Sequence, residues 1–279
     1  MKMMKICITL LISLILATTH SYSQEANESE LDSQEVSETE LAKQTQNPLS
    51  SLISLPFQNN MNFDTGPRDK IQNVLNIQPV YPTSLNDKWN LISRTIVPVV
   101  SQPDFTGSGR TNGLGDTTFT GFLSPNNSGG LIWGAGPVFL LPTATDSILG
   151  ADKWGIGPSA VALKISEKWV YGSLISHVWS FAGSGDTNVN LSTCQYFINY
   201  NIANGWYLTS SPVMTANWDA ESDSIWTVPV GGGFGKIFRI GKQPFNAQVQ
   251  AFANVAKPDF GAEWTLRLQL QLLFPKKKK

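Results

Sequence analysis

The sequence is poor in cysteine, histidine and charged residues. It has 2 cysteines and 2 histidines in 279 residues, and 15% of its residues are charged. Cys7 lies in an N-terminal run that we expect to be removed, so Cys194 has no partner for an intrachain disulfide. The net charge of −1 provides no basic surface, so we expect no binding to nucleic acid.

Long apolar runs are also missing. Although 41% of the residues are hydrophobic, nothing after residue 23 resembles the roughly 18 or more consecutive apolar residues that a membrane-spanning helix needs. The chain nevertheless contains 9 tryptophans and 23 glycines. This composition is unusual for a soluble enzyme and is typical of a β-barrel whose outer surface contacts lipid.

The N-terminus predicts export. Residues 1–5 carry two lysines, residues 6–17 are mostly apolar, and Ser21 and Ser23 provide small residues before a cut at Gln24. Residues 1–23 therefore read as a signal peptide. Residues 24–51 form an acidic periplasmic leader, flexible or with a short helix near residues 38–44. Residues 52–276 are expected to form the barrel, and residues 277–279 a lysine tail.

From residue 52 onward, apolar and polar residues alternate with a period of two. In the last predicted strand one face carries only apolar side chains: Trp264, Leu266, Leu268, Leu270, Leu272 and Phe274. The other face is polar: Thr265, Arg267, Gln269 and Gln271. Segments 206–218 and 245–255 alternate in the same way. Such segments are typical of strands that separate lipid from a polar lumen.

We predict an all-β fold, an antiparallel up-and-down transmembrane β-barrel of about 12 strands. The strands are expected near 53–63, 70–81, 89–101, 114–123, 130–141, 153–164, 168–181, 188–202, 205–217, 224–238, 244–256 and 263–274. Short turns alternate with longer loops between them, as in porin-like barrels of the Gram-negative cell outer membrane. Expected partners are outer-membrane lipids, an unidentified small solute and, during biogenesis, the barrel-assembly machinery.

The tryptophans fall near the predicted strand ends. Amphipathic rings concentrate at both membrane interfaces, so this distribution predicts two aromatic girdles. Four tryptophans belong to the periplasmic end: Trp89, Trp133, Trp169 and Trp206. Five belong to the extracellular end: Trp154, Trp179, Trp218, Trp226 and Trp264.

The predicted lumen lining is dominated by neutral amides. The candidates are Asn76, Gln78, Asn90, Arg94, Asp116, Gln195, Asn199, Asn201, Gln248, Gln250, Arg267 and Gln269. Arg94 and Asp116 lie on consecutive strands, which suggests that they pair. An amide-rich wall can hydrogen-bond neutral solutes, or its side chains can interlock into a sealed interior. The sequence leaves both interpretations open.

Catalytic and metal-binding chemistry is sparse. His177 is the one histidine after residue 23, the position two residues later is Trp179, and Ser176 and Ser180 point away from it. A serine from another strand stays possible. We place His177 on the lumen face and expect no enzyme, no metal site and no cofactor.

Two short glycine repeats occur on neighbouring predicted strands. They read Trp133-Gly-Ala-Gly-Pro137 and Trp154-Gly-Ile-Gly-Pro158. Glycines at alternate positions remove side chains from one face of a strand. They predict either free space in the lumen or sharp curvature of the barrel wall.

Several segments resemble one family of outer-membrane proteins, labelled meta-pathway phenol-degradation proteins and often also "neuromedin U". The matching segments are Leu41–Pro48, Leu52–Asn60, Trp89–Thr95, Gly113–Asp116, the two glycine repeats, Gly205–Leu208, Trp226–Pro229 and Leu268–Lys276. The resemblance implies an outer-membrane barrel that transports small, aromatic or apolar compounds. It implies no catalytic residues, and the lysines after Phe274 depart from the usual terminal aromatic residue.

Our interpretation is therefore an outer-membrane channel or facilitator for small solutes. The alternative is a non-conducting barrel with a structural or partner-binding role. An open lumen would favour the first, and tight interlocking of lumen side chains the second.

Overall fold

A computed structural model describes residues 37–105, 107, 109–126 and 129–275. The predicted signal peptide, the first part of the acidic leader and the lysine tail lie outside these residues. Among the described residues, none of the helices is long and apolar enough to cross a membrane.

Within the described residues, one helix precedes fifteen strand segments. The helix is α1 (Glu38–Gln46). The strand segments are β1 (Ile53–Thr65), β2 (Lys70–Ile77), β3 (Val80–Ser84), β4 (Trp89–Pro103), β5 (Arg110–Leu114), β6 (Thr117–Pro125), β7 (Leu131–Leu141), β8 (Lys153–Ile165), β9 (Trp169–Gly183), β10 (Asn190–Asn201), β11 (Trp206–Ser210), β12 (Val213–Asn217), β13 (Trp226–Ile240), β14 (Gln243–Ala256) and β15 (Trp264–Phe274).

These segments form a closed antiparallel barrel of 12 strands. β1 pairs with β15 and with β2. When the two segments of each broken strand are counted as one strand, every later strand pairs with its neighbours in the chain. The fold and the strand count predicted from the alternating pattern are thereby confirmed.

Three of the strands are each broken into two segments. The breaks lie between β2 and β3 at Pro79, between β5 and β6 at Gly115, and between β11 and β12 at Pro212. Proline has no backbone N–H to donate to the ladder, and glycine within a strand often marks a bulge. The prediction treated each of these strands as continuous, because alternation of side chains does not report a local break.

Alternate residues face the lumen and the lipid. Gln58 lies opposite Gln269 on the inner face, whereas Phe57 lies opposite Leu270 on the outer face. The outer face exposes large apolar side chains, for example Ile175 and Leu208. Such a surface is stable only where lipid covers it.

At two positions in the glycine repeats, glycine is required by the close approach of the neighbouring strand, as the curvature interpretation predicts. A methyl group at Gly136 would collide with the backbone of Gly121, and one at Gly157 with the backbone of His177. Neighbouring strands therefore approach too closely for a Cβ atom. At Gly134 the added atom would instead meet Leu49 at 3.0 Å, so this glycine makes room for a side chain inside the lumen.

The two ends of the barrel differ. At the turn end, connections such as 166–168 and 241–242 are short, while at the loop end 142–152 and 218–225 are longer. Short turns lie on the periplasmic side of outer-membrane barrels.

A plug, defined here as residues 37–52, closes the turn end. Ser37 caps α1 by accepting from the Glu40 amide at 3.2 Å, and Leu41 and Ala42 are buried. Gln46 Nε2 donates to Asn201 Oδ1 at 2.9 Å, and Asn201 Nδ2 donates back to Gln46 Oε1 at 3.0 Å. The second half of the predicted leader therefore packs inside the barrel.

Candidate solute site in the barrel lumen

The lumen is narrowed at its loop end as well. Loop 142–152 is held by the Asp116 carboxylate, which accepts from the Ala144 amide at 3.2 Å and from the Ala151 amide at 2.6 Å. Leu149 of this loop packs against the inward face of Gly113, where an added Cβ would lie 2.9 Å from it. The loop therefore folds over the inner surface of β5.

Next to the plug, inside the barrel, lies a cavity of about 150 Å³. Its lining comes from the plug and from most of the barrel strands. The residues that line the cavity are Thr45, Gln46, Asn47, Pro48, Ser50, Leu52, Ser54, Pro56, Gln58, Gln78, Val80, Arg94, Leu174, Gln195, Phe197, Asn199, Thr209, Ser211, Gln248, Gln269 and Gln271. Amide and hydroxyl groups predominate, so the cavity can hydrogen-bond a polar solute.

One side of the lumen, which we call the polar wall, consists of the inward residues of β1, β11, β14 and β15. Gln250 is buried and its Nε2 donates to Ser211 Oγ at 3.0 Å and to Gln248 Oε1 at 3.0 Å. The Tyr207 hydroxyl donates to Asn246 Oδ1 at 2.5 Å, and Asn246 Nδ2 donates to Gln271 Oε1 at 3.2 Å. These buried amides partner one another, as buried polar groups must.

The opposite side, which we call the apolar wall, consists of inward residues of β4, β6, β8, β9 and β10. One buried cluster on this wall includes Leu49 of the plug. Its other members are Ile92, Phe122, Val161, Leu163, Val170, Leu174 and Phe197. The plug is thus anchored by apolar burial on this side.

Two arginines stand on the inner face. Arg267 is 6% exposed, donates to Asn60 Oδ1 at 2.9 Å and to the Ser211 carbonyl at 2.8 Å, and lies over the Phe252 ring at 4.9 Å. Arg94 lines the cavity and donates to Gln78 Oε1 at 2.7 Å.

The predicted lumen residues occupy three kinds of position. Six line the cavity: Gln78, Arg94, Gln195, Asn199, Gln248 and Gln269. Three are buried behind it among hydrogen-bond partners: Asn201, Gln250 and Arg267. Asn76 and Asn90 face inward by register, opposite Gln58 and Ser124. Their part in transport stays a prediction.

The expected pairing of Arg94 with Asp116 is wrong. The Asp116 carboxylate holds the backbone of loop 142–152. Arg94 donates to Gln78, which lies in the break between β2 and β3. Membership of consecutive strands did not bring the two side chains together, because they lie at different heights along the barrel.

Sequence reasoning missed the plug residues that line the cavity. Thr45, Gln46 and Ser50 were assigned to a flexible leader, yet they form one side of the cavity. A usable signal was present, since Leu41, Leu49 and Leu52 are isolated apolar residues in a polar segment, and all three are buried. Apolar residues at such spacing indicate that a segment packs against something.

The predicted girdle tryptophans all lie on the outer face and are exposed: Trp89, Trp133, Trp154, Trp169, Trp179, Trp206, Trp218, Trp226 and Trp264. Neighbouring rings contact each other at both ends. The Trp89 and Trp133 centroids are 6.1 Å apart at the turn end, and those of Trp218 and Trp226 are 5.7 Å apart at the loop end.

His177 faces the lipid rather than the lumen, so the expected orientation is wrong. It follows the outward positions Tyr171 and Ile175 on β9. Its Nδ1 lies 2.7 Å from Ser192 Oγ on β10, and Trp218 Nε1 donates to the same oxygen at 2.8 Å. A serine from another strand therefore does contact this histidine.

Among the residues that the structure describes, the imidazole of this pair has no second hydrogen-bond partner. Among the described residues, His177 Nε2 is the single buried side-chain nitrogen or oxygen without a hydrogen-bond partner. No carboxylate therefore orients the imidazole, which nucleophilic serine catalysis normally requires. Within the same residues, no group of three or more His, Cys, Asp or Glu could hold a metal ion.

Comparison with solved structures agrees with this architecture. The fold is similar to that of the COG4313 outer membrane channel from Pseudomonas putida F1, with a TM-score of 0.62 and 19% identity over 90% of this chain and 100% of that chain. The Salmonella typhi outer membrane phospholipase dimer with bound calcium has a TM-score of 0.41 and 11% identity, over 86% of this chain and 99% of that one. The TodX deltaS2S3 mutant monoaromatic hydrocarbon channel has a TM-score of 0.33 and 7% identity, over 80% of this chain and 88% of that one.

The chain is a transmembrane β-barrel of the outer membrane. Closure of the sheet, the lipid-facing apolar surface and the aromatic girdles define this class. No protein-family profile matches the chain, and no curated protein matches it. The two more distant structures have TM-scores below 0.5 and carry no weight here.

Proposed function

We propose that this barrel is a channel for small solutes, closed at its turn end by its own N-terminal plug. The observation that carries the proposal is the cavity of about 150 Å³ inside the barrel, lined by amides rather than by interlocked apolar side chains. A purely structural barrel has no need of polar groups that open onto an internal space.

Displacement of the plug is the step that would connect the cavity to the turn end. The plug contacts the barrel through Leu49 on the apolar wall and through the reciprocal bonds between Gln46 and Asn201. Leu41, Ala42 and Leu52 of the plug are buried too, so its release would expose apolar surface as well as break these hydrogen bonds. The solute would then meet the polar wall along its path.

Conductance in a planar bilayer tests this proposal. The full chain is compared with a deletion of residues 24–50 and with a matched deletion of residues 24–36, which leaves the plug intact. We expect the longer deletion to give discrete openings of higher conductance, and the shorter one to behave like the full chain. Heat-dependent mobility in detergent gels checks that all three barrels are folded.

A folded but silent barrel in all three forms would contradict the proposal. The non-conducting, partner-binding barrel would then be the better account. If all three forms give the same openings, the channel function is supported but the plug is not the element that closes the channel.

The resemblance to the phenol-degradation family belongs to this proposal, and it favours aromatic or apolar compounds as further solutes to assay. Removal of residues 1–23 by signal peptidase and insertion by the barrel-assembly machinery are also part of it. Both are expected consequences of an outer-membrane location.

We further infer that the chain is not an enzyme, and that Ser192 and His177 stabilise the outer wall. The unpartnered His177 Nε2 supports this, because it leaves the imidazole without an orienting group. A fluorophosphonate probe tests the inference on the folded barrel in detergent. We expect no more labelling of the native chain than of the Ser192→Ala variant, whereas labelling that this variant abolishes would identify a reactive serine.

A further inference from the structure

The strongest unexplained feature of the lumen is positive charge without a counter-charge. Arg94 and Arg267 both lie on the inner face; Arg94 lines the cavity and Arg267 is buried. Among the described residues, no Asp or Glu oxygen lies within 4.0 Å of either guanidinium, and the ion pair that does occur, Lys257 with Glu263, is elsewhere.

Neutral acceptors satisfy only part of the two guanidinium groups. A guanidinium has five N–H donors. Arg267 uses its donors on Asn60 and on the Ser211 carbonyl, and its face packs on Phe252. Arg94 donates to a single protein acceptor, Gln78 Oε1. Arg94 therefore has more unused donors than Arg267.

These unused donors open onto the cavity. Arg94 lines the cavity, and none of its nitrogens is sealed inside protein without a partner. Arg267 contributes charge from behind Ser211, which also lines the cavity. A charge removed from bulk water is costly unless an opposite charge accompanies it. The cavity therefore has the electrostatics of an anion site.

We propose that the lumen cavity binds a small organic carboxylate, with its carboxylate on Arg94 and its body among the amides of Gln58, Gln248 and Gln269. This deepens the proposed channel function and rests on it. A guanidinium matches a planar carboxylate with two parallel hydrogen bonds, a geometry that a neutral amide cannot reproduce with equal strength.

The volume of the cavity indicates the size of a suitable bound molecule. A protein cavity of about 150 Å³ can hold a molecule the size of benzene. The cavity here has the same volume, and its lining includes Leu174 and Phe197 of the apolar wall beside the amides. A carboxylate carried on a single ring is therefore a probe of suitable size.

Calorimetry on the folded full-length barrel in detergent tests the site without requiring conduction. The probes are benzoate and its uncharged counterpart benzyl alcohol. The variants are Arg94→Gln, Arg94→Lys and the control Arg110→Gln, in which an exposed arginine at the loop end is neutralised. We expect benzoate to bind at least about tenfold more tightly than benzyl alcohol, as for hydrogen bonds to a charged group.

Arg94→Gln should weaken benzoate binding about tenfold or more, Arg94→Lys should restore part of it, and Arg110→Gln should leave it unchanged. Equal affinity for benzoate and benzyl alcohol, or no effect of Arg94→Gln in a barrel that is folded by gel mobility, would overturn the proposal.

Bilayer recordings separate this inference from the channel function. If plug-deleted barrels conduct, we expect anions to be favoured over cations, and this preference to fall in Arg94→Gln. Conduction without anion preference and without benzoate binding would refute the carboxylate site alone. Benzoate binding by a barrel that never conducts would refute the channel but retain the site.

Discussion

The two walls of the lumen differ in how they are held together. The apolar wall is a cluster of aliphatic and aromatic side chains, closed by Leu49 of the plug. The polar wall is a set of amides that bond one another, for example Asn246 with Gln271 and Gln250 with Gln248. Apolar burial is non-directional, whereas a buried hydrogen-bond network tolerates no missing partner.

The two walls therefore make different contributions to the lumen. Leu49 meets the apolar wall through apolar contacts, although release of the plug would also separate Gln46 from Asn201 of β10. The polar wall carries Arg267, and its shape is fixed by its hydrogen bonds. Both walls line the cavity, and Arg94 reaches it from β4. We infer that the plug docks mainly on the apolar wall and that a solute contacts both walls.

The largest effect is expected from Leu49→Asp. Placing a carboxylate in the apolar cluster should destabilise the docked plug by about 3 kcal/mol or more, because a buried charge without a partner is costly. The plug should then be released, which proteolysis of residues 37–52 and an increase in bilayer conductance would detect.

The control for Leu49→Asp is Ser51→Asp, which adds the same charge at an exposed position two residues away. It should leave both readouts unchanged. Equal plug release by the two variants would show that the charge on the plug, and not contact with the apolar wall, governs docking.

A smaller effect is expected on the polar wall from Tyr207→Phe. Tyr207 is 1% exposed and its hydroxyl donates to Asn246, which is 0% exposed. Loss of the hydroxyl leaves a buried acceptor short of one donor and should reduce the free energy of unfolding by about 1–3 kcal/mol. Urea unfolding followed by tryptophan fluorescence measures the change.

Tyr81→Phe is the matched control, because Tyr81 is 57% exposed on the outside of β3. Its unfolding midpoint should not move. A loss of stability as large in Tyr81→Phe as in Tyr207→Phe would argue against a cooperative network on the polar wall.

The smallest effect is expected from Ser159→Ala, which removes a hydroxyl at the edge of the apolar wall. Ser159 Oγ donates to the Ile175 carbonyl at 3.1 Å. Because a strand carbonyl has a second lone pair and a ladder partner, the loss should be about 1 kcal/mol or less. A urea midpoint that falls as far as that of Tyr207→Phe would remove the proposed contrast between the walls.

Much of the barrel was predictable because a membrane imposes a strict local pattern. Leu266, Leu268 and Leu270 must face lipid and Gln269 and Gln271 the lumen, and a period of two reports this residue by residue. The same pattern assigned Gln248, Gln269 and Arg94 to the inner face. It could not show whether inward residues meet each other or a cavity, because that depends on strands far apart in the chain.

The errors concern contacts between distant segments. His177 was placed inward because apolar residues occur on both faces of β9, which blurs the alternation. Arg94 and Asp116 were paired by strand order alone, without knowledge of the inward fold of loop 142–152. The plug was missed as a lumen element because acidic residues around Leu41 make the segment read as solvated.

The sequence by itself determined the class of protein, the number of strands, the lipid-facing surface and the girdles, since each follows from local alternation and from strand ends. Only the tertiary structure decided what fills the lumen. Closure of the sheet brings together side chains from opposite ends of the chain. Three features depend on it: the docking of residues 37–52, the division into an apolar and a polar wall, and the two arginines without counter-charge.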